Sequence, residues 1–391
     1  MLERRAASVT LAVYALGLVC LPHPAAADLR INSPVLGAAA DSLDDGPHIY
    51  WQSDSSAIVF YLCDGAVQTR RFPVRDTLSF YGFCADSLTR YVVAARAPDH
   101  QPHVFDDVPK IFAVSDIHGE YEAMVDLLVN AGIVDDDLHW RWGSGHLVVV
   151  GDVLDRGDKV SECLWLIYRL EQEAIRADGR IHFVLGNHEV MAMQGDLRYV
   201  NQKYFDGIAR RTKIMYQDLY GPHMELGRWL RSKNSAIRLN GIIFVHGGIG
   251  PHIVERGLSL EEINAEAREH IDLRSYQIVF DDTPIFWYGS GGPFWYRGYH
   301  EPKEGWYSLA TPDDVQAILA YYGAHAVVVG HTEIDQVDRL QDGYVFGVDV
   351  PLHELGSFQG LLWEHGVYYR VTGSGERQPL AASAQPSPSS P

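Results

Sequence analysis

Short apolar runs that stop at polar clusters set the rhythm of the middle of this chain. Residues 111–114 run into Ser115-Asp116-Ile117-His118-Gly119, residues 147–150 into Gly151-Asp152-Val153-Leu154-Asp155-Arg156-Gly157, and residues 181–185 into Gly186-Asn187-His188-Glu189. Further on, Ile242–Val245 ends at His246-Gly247-Gly248, and Ala326–Val329 ends at Gly330-His331-Thr332. A short run without polar alternation predicts a strand buried on both faces. In an α/β sheet the C-terminal tips of such strands converge on one crevice. The pattern therefore predicts strand ends that deliver Asp, His and Asn side chains, with glycines between them, to a common place.

Between and around these strands the pattern predicts helices over 121–131, 161–176 and from Glu189 onward. Residues 195–238, rich in Tyr, Arg and Trp, break the alternation and are expected to form helices that roof the crevice. An amphipathic stretch Leu260–His270, a Gly, Trp and Tyr rich loop at 287–299 and a helix Pro312–Tyr322 follow. Residues 344–350, Gly360–Glu364 and Val367–Val371 read as antiparallel strands that close a sheet. Upstream, residues 28–107 alternate with period two and carry turn signals. Strands are predicted at 49–51, 57–63, 67–72 and 91–95, with a hairpin turn at Asp64-Gly65. This reads as a small β-rich domain with a structural role, joined through a linker at 98–109 to a catalytic domain at 108–373. Residues 374–391, rich in Ser, Pro, Ala and Gln, read as a disordered tail.

Composition narrows the class. With 391 residues, 47% hydrophobic and 21% charged, the chain is an ordinary globular protein long enough for more than one domain. Its formal charge of −19 repels polyanions, which argues against a nucleic-acid partner. The first 27 residues have the form of a signal peptide: Arg4 and Arg5, an apolar core at 11–21, then Ala25-Ala26-Ala27. The mature chain is expected to begin near Asp28, exported to the periplasm or secreted, with no membrane span of its own. Cys63 and Cys84 both fall in the β-rich region, where an exported chain would hold either a disulfide or two buried thiols. Cys163, among apolar residues of a predicted helix, reads as a small core residue.

The polar clusters carry the chemistry. Carboxylate, imidazole and amide oxygen donors suit hard or borderline divalent cations, and the strand tips supply Asp116, His118, Asp152, Asn187, His246 and His331. Six such donors suffice for two ions, which together can clamp the attacking and leaving oxygens of a phosphoryl displacement. One carboxylate must then lie between the ions, and Asp152, on the middle tip, is the natural bridge.

The ordered series SDIHG, GDVLDRG, GNHE, HGG and GHT resembles the metallophosphoesterase superfamily, and within it the phosphoprotein phosphatase family. The leader, the β-rich segment and the loop Phe294-Trp295-Tyr296-Arg297-Gly298 are most similar to its Shewanella-like phosphatase branch, which includes a cold-active protein-tyrosine phosphatase. The resemblance covers residues 110–371 and implies a calcineurin-like β-sandwich flanked by helices. It also implies two divalent ions (Mn, Fe or Zn), one on Asp116 and His118, the other on Asn187, His246 and His331, with Asp152 shared. A hydroxide between the ions would be the nucleophile. His188 would be the general acid, oriented by Asp155, while Arg156 and Arg297 would grip the phosphoryl oxygens. The implied activity is phosphomonoester hydrolysis on phosphorylated protein or peptide, phosphotyrosine ahead of phosphoserine and phosphothreonine.

Departures limit the transfer. Ser115 stands where many relatives have Gly, Leu185 where eukaryotic members carry Arg, and the SAPNY segment of those enzymes is absent. Two other readings remain open at this point: an exported phosphatase for small-molecule or nucleotide phosphates, and a non-catalytic binding protein that keeps the fold. Among other basic residues, Arg198, Arg228 and Arg238 compete with Arg297 for the second phosphate contact. His182 and His325 read as structural, and His139, His146, His223 and His252 as solvated surface.

Overall fold

The computed structural model describes residues 43–82, 84, 89–274, 289–300, 309–351 and 358–381. The expected signal peptide and part of the loop at 287–299 lie outside them. An N-terminal meander comes first, with β1 (Asp45–Ser53), β2 (Ser56–Cys63) and β3 (Ala66–Pro73) paired antiparallel. Asp64 and Gly65 turn between β2 and β3 with φ of 48° and 72°, the left-handed pair that a tight hairpin requires. Next come β4 (Thr77–Tyr81) and β5 (Arg90–Ala94), an antiparallel ribbon. Cys63 and Cys84 form a disulfide, their Cα atoms 5.4 Å apart.

The remainder is built on two six-stranded sheets. Its strands are β6 (Val104–Phe105), β7 (Lys110–Val114), β8 (His146–Val149), β9 (Arg180–Phe183), β10 (Ala236–Leu239), β11 (Ile242–Val245) and β12 (Ala326–Val329). Then follow β13 (Asp338–Leu340), β14 (Val345–Gly347), β15 (Gly360–Glu364), β16 (Val367–Val371) and β17 (Arg377–Pro379). One sheet has the order β17-β16-β15-β7-β8-β9, with β7, β8 and β9 parallel; the other has the order β13-β14-β12-β11-β10-β6.

Both sheets are covered on both faces, which is why their strands read as unbroken apolar runs. Ile111, Ala113 and Val148 meet Ile242, Phe244 and Val328 in the core between the sheets. The alternate residues of β7 and β8, Phe112, Val114, Leu147 and Val149, face outward onto α1 (Tyr121–Asn130) and α2 (Val160–Arg176). On the opposite side Ile243, Val245, Val327 and Val329 pack under the helices Leu260–His270 and Pro312–Tyr322. The result is the sandwich flanked by helices that the motif series implied.

Several expectations change. Residues 98–109 are more than a linker: β6 adds to the sheet edge parallel to β10. Residues 345–347 pair antiparallel with β13, as expected, but run parallel to β12 on their other side. The stretch expected to be a disordered tail contains β17, which pairs with β16 because the chain turns back at Gly375, φ 82°, and offers its main chain to a free sheet edge. Composition carries no signal for such edge pairing. His146, expected in solvent, is buried, its Nδ1 3.0 Å from His182 Nε2. Phe105 of β6 covers both rings edge-on. Cys163 lies in the core as expected.

The β-rich segment shares a core with the rest through Trp165 of α2, which is fully buried. Its ring meets Phe80 and Tyr91 edge-on, both at 5.4 Å, and its Nε1–H donates to Pro47 O at 2.9 Å. Trp165→Ala should therefore destabilise the protein by about 3–5 kcal/mol, read as a lower urea midpoint. Trp165→Phe, which keeps most of the buried ring, should lose less.

Candidate metal centre

Each predicted strand tip ends at the same crevice. Asp116 and His118 follow β7, Asp152 follows β8, Asn187 and His188 open α3 (Asn187–Gln194) after β9, His246 follows β11 and His331 follows β12. Asp116, His118, Asp152, Asp155, Arg156 and His331 all have positive φ, between 49° and 70°. Residues with a Cβ adopt that region at a cost of roughly 1–2 kcal/mol each, and backbone strain of this kind concentrates at functional sites. It points successive side chains inward instead of letting them alternate.

Glycine makes room at two points. A Cβ on Gly186 would run into the Asp152 carboxylate, and one on Gly330 would stand 2.5 Å from Asp116 Oδ2. His331 N donates to that same Oδ2 at 3.1 Å, and Ser115 Oγ lies 2.5 Å from it. The serine that replaces glycine at this position thus has a partner of its own.

Two groups of donors share one member. His118, Asp152 and His188 bring ligand atoms within 4.8 Å of one another, and so do Asp152, His246 and His331. Asp116 Oδ1 joins the first group 3.9 Å from His118 Nε2. Asn187 Oδ1 joins the second 2.9 Å from His246 Nε2, which lies 3.1 Å from Asp152 Oδ2. His118 and His246 donate from Nδ1 to the carbonyls of Leu154 (2.8 Å) and Val150 (2.7 Å). Their Nε2 atoms are thereby left as the coordinating nitrogens, the usual arrangement around metal-bound imidazole. Among the described residues, the buried Nε2 atoms of His118 and His331 have no hydrogen-bond partner. Buried polar atoms are rarely left in this way, so the donor set fits divalent cations in number, type and orientation.

Charge points the same way. Burial, with the nearby Asp152 charge adding to it, pushes Asp116 up to about 6 despite His246. Asp349, also buried, is raised well above its ordinary range by burial and then by Asp116 and Glu333. Burial opposes ionisation of Asp152 as well, yet His246 and His188 hold it well below the usual carboxylate range. This crowd of buried carboxylates needs positive charge that the protein side chains only partly supply.

Residues 109–334 match the calcineurin-like phosphoesterase family. The chain belongs to that family. It is similar to the crystal structure of the cold-active protein-tyrosine phosphatase of a psychrophile Shewanella sp., at 33% identity and a TM-score of 0.79 over 86% of this chain and 99% of that one. It is also 27% identical over 250 residues to Shewanella-like protein phosphatase 1 of Plasmodium berghei (strain Anka), which covers 64% of each chain. Shewanella-like protein phosphatase 2 of Arabidopsis thaliana is 27% identical over 291 residues, 62% of this chain and 69% of that protein. The match therefore spans just under two thirds of the Plasmodium relative's length.

Beside these donors, His188 Nδ1 sits 2.7 Å from Asp155 Oδ2, so its Nε2 faces the crevice, 3.8 Å from Asp152. Burial would lower the His188 pKa, but Asp152 and the bond to Asp155 raise it above its ordinary value. Arg297 Nη1 donates to Thr332 Oγ1 at 3.1 Å, next to His331. Its competitors are engaged elsewhere. Arg198 is held by Asp196, Arg228 by Glu225 and Ala95, and Arg238 by the carbonyl of Tyr322. Arg156, half-exposed, reaches Glu333 at 3.5 Å.

Sequence reasoning left out Glu189, although it closes the GNHE segment. It is fully buried, and its carboxylate accepts the N–H groups of Gly186, Asp152, Val153 and Leu154 at 2.8–3.1 Å. Thr332 and Glu333, the partners of the two arginines, were also left out. Their signal was position: they are the first and second residues after His331.

Asp152→Asn should lower bound metal well below two ions per chain, measured by elemental analysis of purified protein. Gly186→Ala should do the same without touching a ligand, because the added methyl displaces the Asp152 carboxylate.

Proposed function

We propose that this chain hydrolyses phosphomonoesters on protein or peptide, phosphotyrosine ahead of phosphoserine and phosphothreonine, with two divalent cations as cofactors. The observation that carries this reading is the Asp152 carboxylate, the one member common to both donor groups. Asp116 and His118 would hold one cation and Asn187, His246 and His331 the other. The cations, when bound, supply a nucleophile from water at neutral pH and neutralise charge on the phosphoryl group.

The protein's own groups do the rest. Arg156 and Arg297 orient the phosphoryl oxygens through planar, two-pronged hydrogen bonds. His188 Nε2 holds a proton for the leaving oxygen, and Asp155 keeps the imidazole in the required tautomer and favours its charged form. Mn, Fe and Zn all accept this nitrogen and oxygen donor set. Preference for phosphotyrosine is supported by likeness to the cold-active protein-tyrosine phosphatase, and a protein substrate by the names of the Shewanella-like relatives. Export is part of the same proposal, supported by the Cys63–Cys84 disulfide, which suits an oxidising compartment.

His188→Ala should slow alkyl phosphates more than aryl phosphates, since only a poor leaving group needs the proton. Equal losses in kcat on both would remove His188 from the acid role. Turnover of phosphotyrosine and phosphothreonine peptides should exceed that of nucleotides, with Mn, Fe and Zn each supplied. The reverse order would support the small-molecule reading, and no turnover of any of them would leave only a binding role.

A further inference from the structure

Tyr199 is a large aromatic side chain, 47% exposed, that no part of the chemistry above employs. Its ring centroid lies 5.2 Å from that of His188, tilted by 48°. Its carbonyl accepts the Arg156 N–H at 2.9 Å, and Asn201 two residues on donates from Nδ2 to the Arg156 carbonyl at 2.8 Å. The loop carrying Tyr199 is thus fixed to the peptide of a phosphate-gripping arginine, while its ring is fixed against the proton donor. Arg198, held by two-pronged bonds to Asp196, lies 5.6 Å from the ring centroid.

That placement has a chemical meaning. The leaving oxygen must come within hydrogen-bond reach of His188 Nε2, so the group bonded to that oxygen passes beside the imidazole, against which the half-exposed Tyr199 ring packs. A phenyl leaving group can stack on the tyrosine ring or meet it edge to face; the side chain of serine or threonine has no ring to offer. Trp295, the aromatic beside the other donor group, is already committed edge-on to His331 at 5.6 Å and is mostly covered.

We propose that Tyr199 forms the leaving-group subsite, receiving the aryl ring of phosphotyrosine and setting the preference for aryl over alkyl phosphomonoesters. The inference rests on the phosphatase reading above and names the residue that gives it substrate selectivity.

The test compares wild type, Tyr199→Phe and Tyr199→Ala in the full chain loaded with Mn²⁺. One peptide is assayed in its phosphotyrosine and phosphothreonine forms, and phenylphosphonate and ethylphosphonate are titrated by calorimetry. An aromatic pair contributes enough that the Ala variant should lose about three- to tenfold in the tyrosine-to-threonine ratio of kcat/KM, mainly through KM. Its relative affinity for phenylphosphonate should fall by a similar factor, and the Phe variant should stay near wild type on both measures. An unchanged ratio in the Ala variant overturns the proposal. So does a parallel loss on both peptides with a displaced pH profile, which would make Tyr199 a positioning residue for His188. If wild type turns over neither peptide, the catalytic reading fails, and the phosphonate titration still decides the subsite, since equal preference in wild type and Ala variant overturns it.

Discussion

The centre depends on one buried carboxylate that belongs to neither donor group. Glu189 gathers four main-chain N–H groups, one from the tip of β9 and three from the tip of β8. It thereby ties the loop that presents Asp152 to the first turn of α3, which presents Asn187 and His188. His188 N returns a bond to Asp152 Oδ1 at 2.9 Å, closing the link from the other side. Burial and the charge of Asp152 push Glu189 up to about 7 against the pull of those N–H groups. Such a group is costly unless fully satisfied, and its satisfaction is what holds the left-handed residues of the Asp152 loop in place.

Around this clamp the sandwich acts as a rigid frame. Strands covered on both faces cannot slide without exposing apolar side chains, so the tips of β7, β8, β9, β11 and β12 keep fixed spacing. The crevice can then tolerate what an ordinary surface would not: adjacent aspartates, imidazoles with their Nε2 atoms turned inward, and backbone in disfavoured conformations. Its charge balance favours cations before any particular ion is named. The two arginines stand outside the carboxylates, each resting on a weak, partly exposed partner, Glu333 or Thr332. Contacts as exposed as these contribute little to stability.

The β-rich segment and the helical stretch after α3 serve the centre at a distance. Trp165 joins the former to α2, and Trp51 extends the joint by donating to the buried Glu225, which also takes Tyr168 and Arg228. Residues 195–238 were expected to roof the crevice. Within that stretch the Tyr199 carbonyl and the Asn201 side chain hold the two peptide groups of Arg156.

Much of this was legible from the chain alone. Asp116, His118, Asp152, Asn187, His188, His246 and His331 were found because a buried strand shows as an apolar run and its tip as an abrupt polar cluster, both local signals. The helices Leu260–His270 and Pro312–Tyr322 were legible for a similar reason, with Ser259 and Thr311 capping them through Glu262 and Asp314. What the chain alone did not show were facts of contact between distant segments. The Glu189 bonds, the burial of His146 under Phe105, the return of β17 to a sheet edge and the seating of Tyr199 against His188 all belong here. Local composition sets which residues seek the interior or a turn, whereas the partner of a main-chain N–H or an exposed ring is decided only once sheets and loops are brought together.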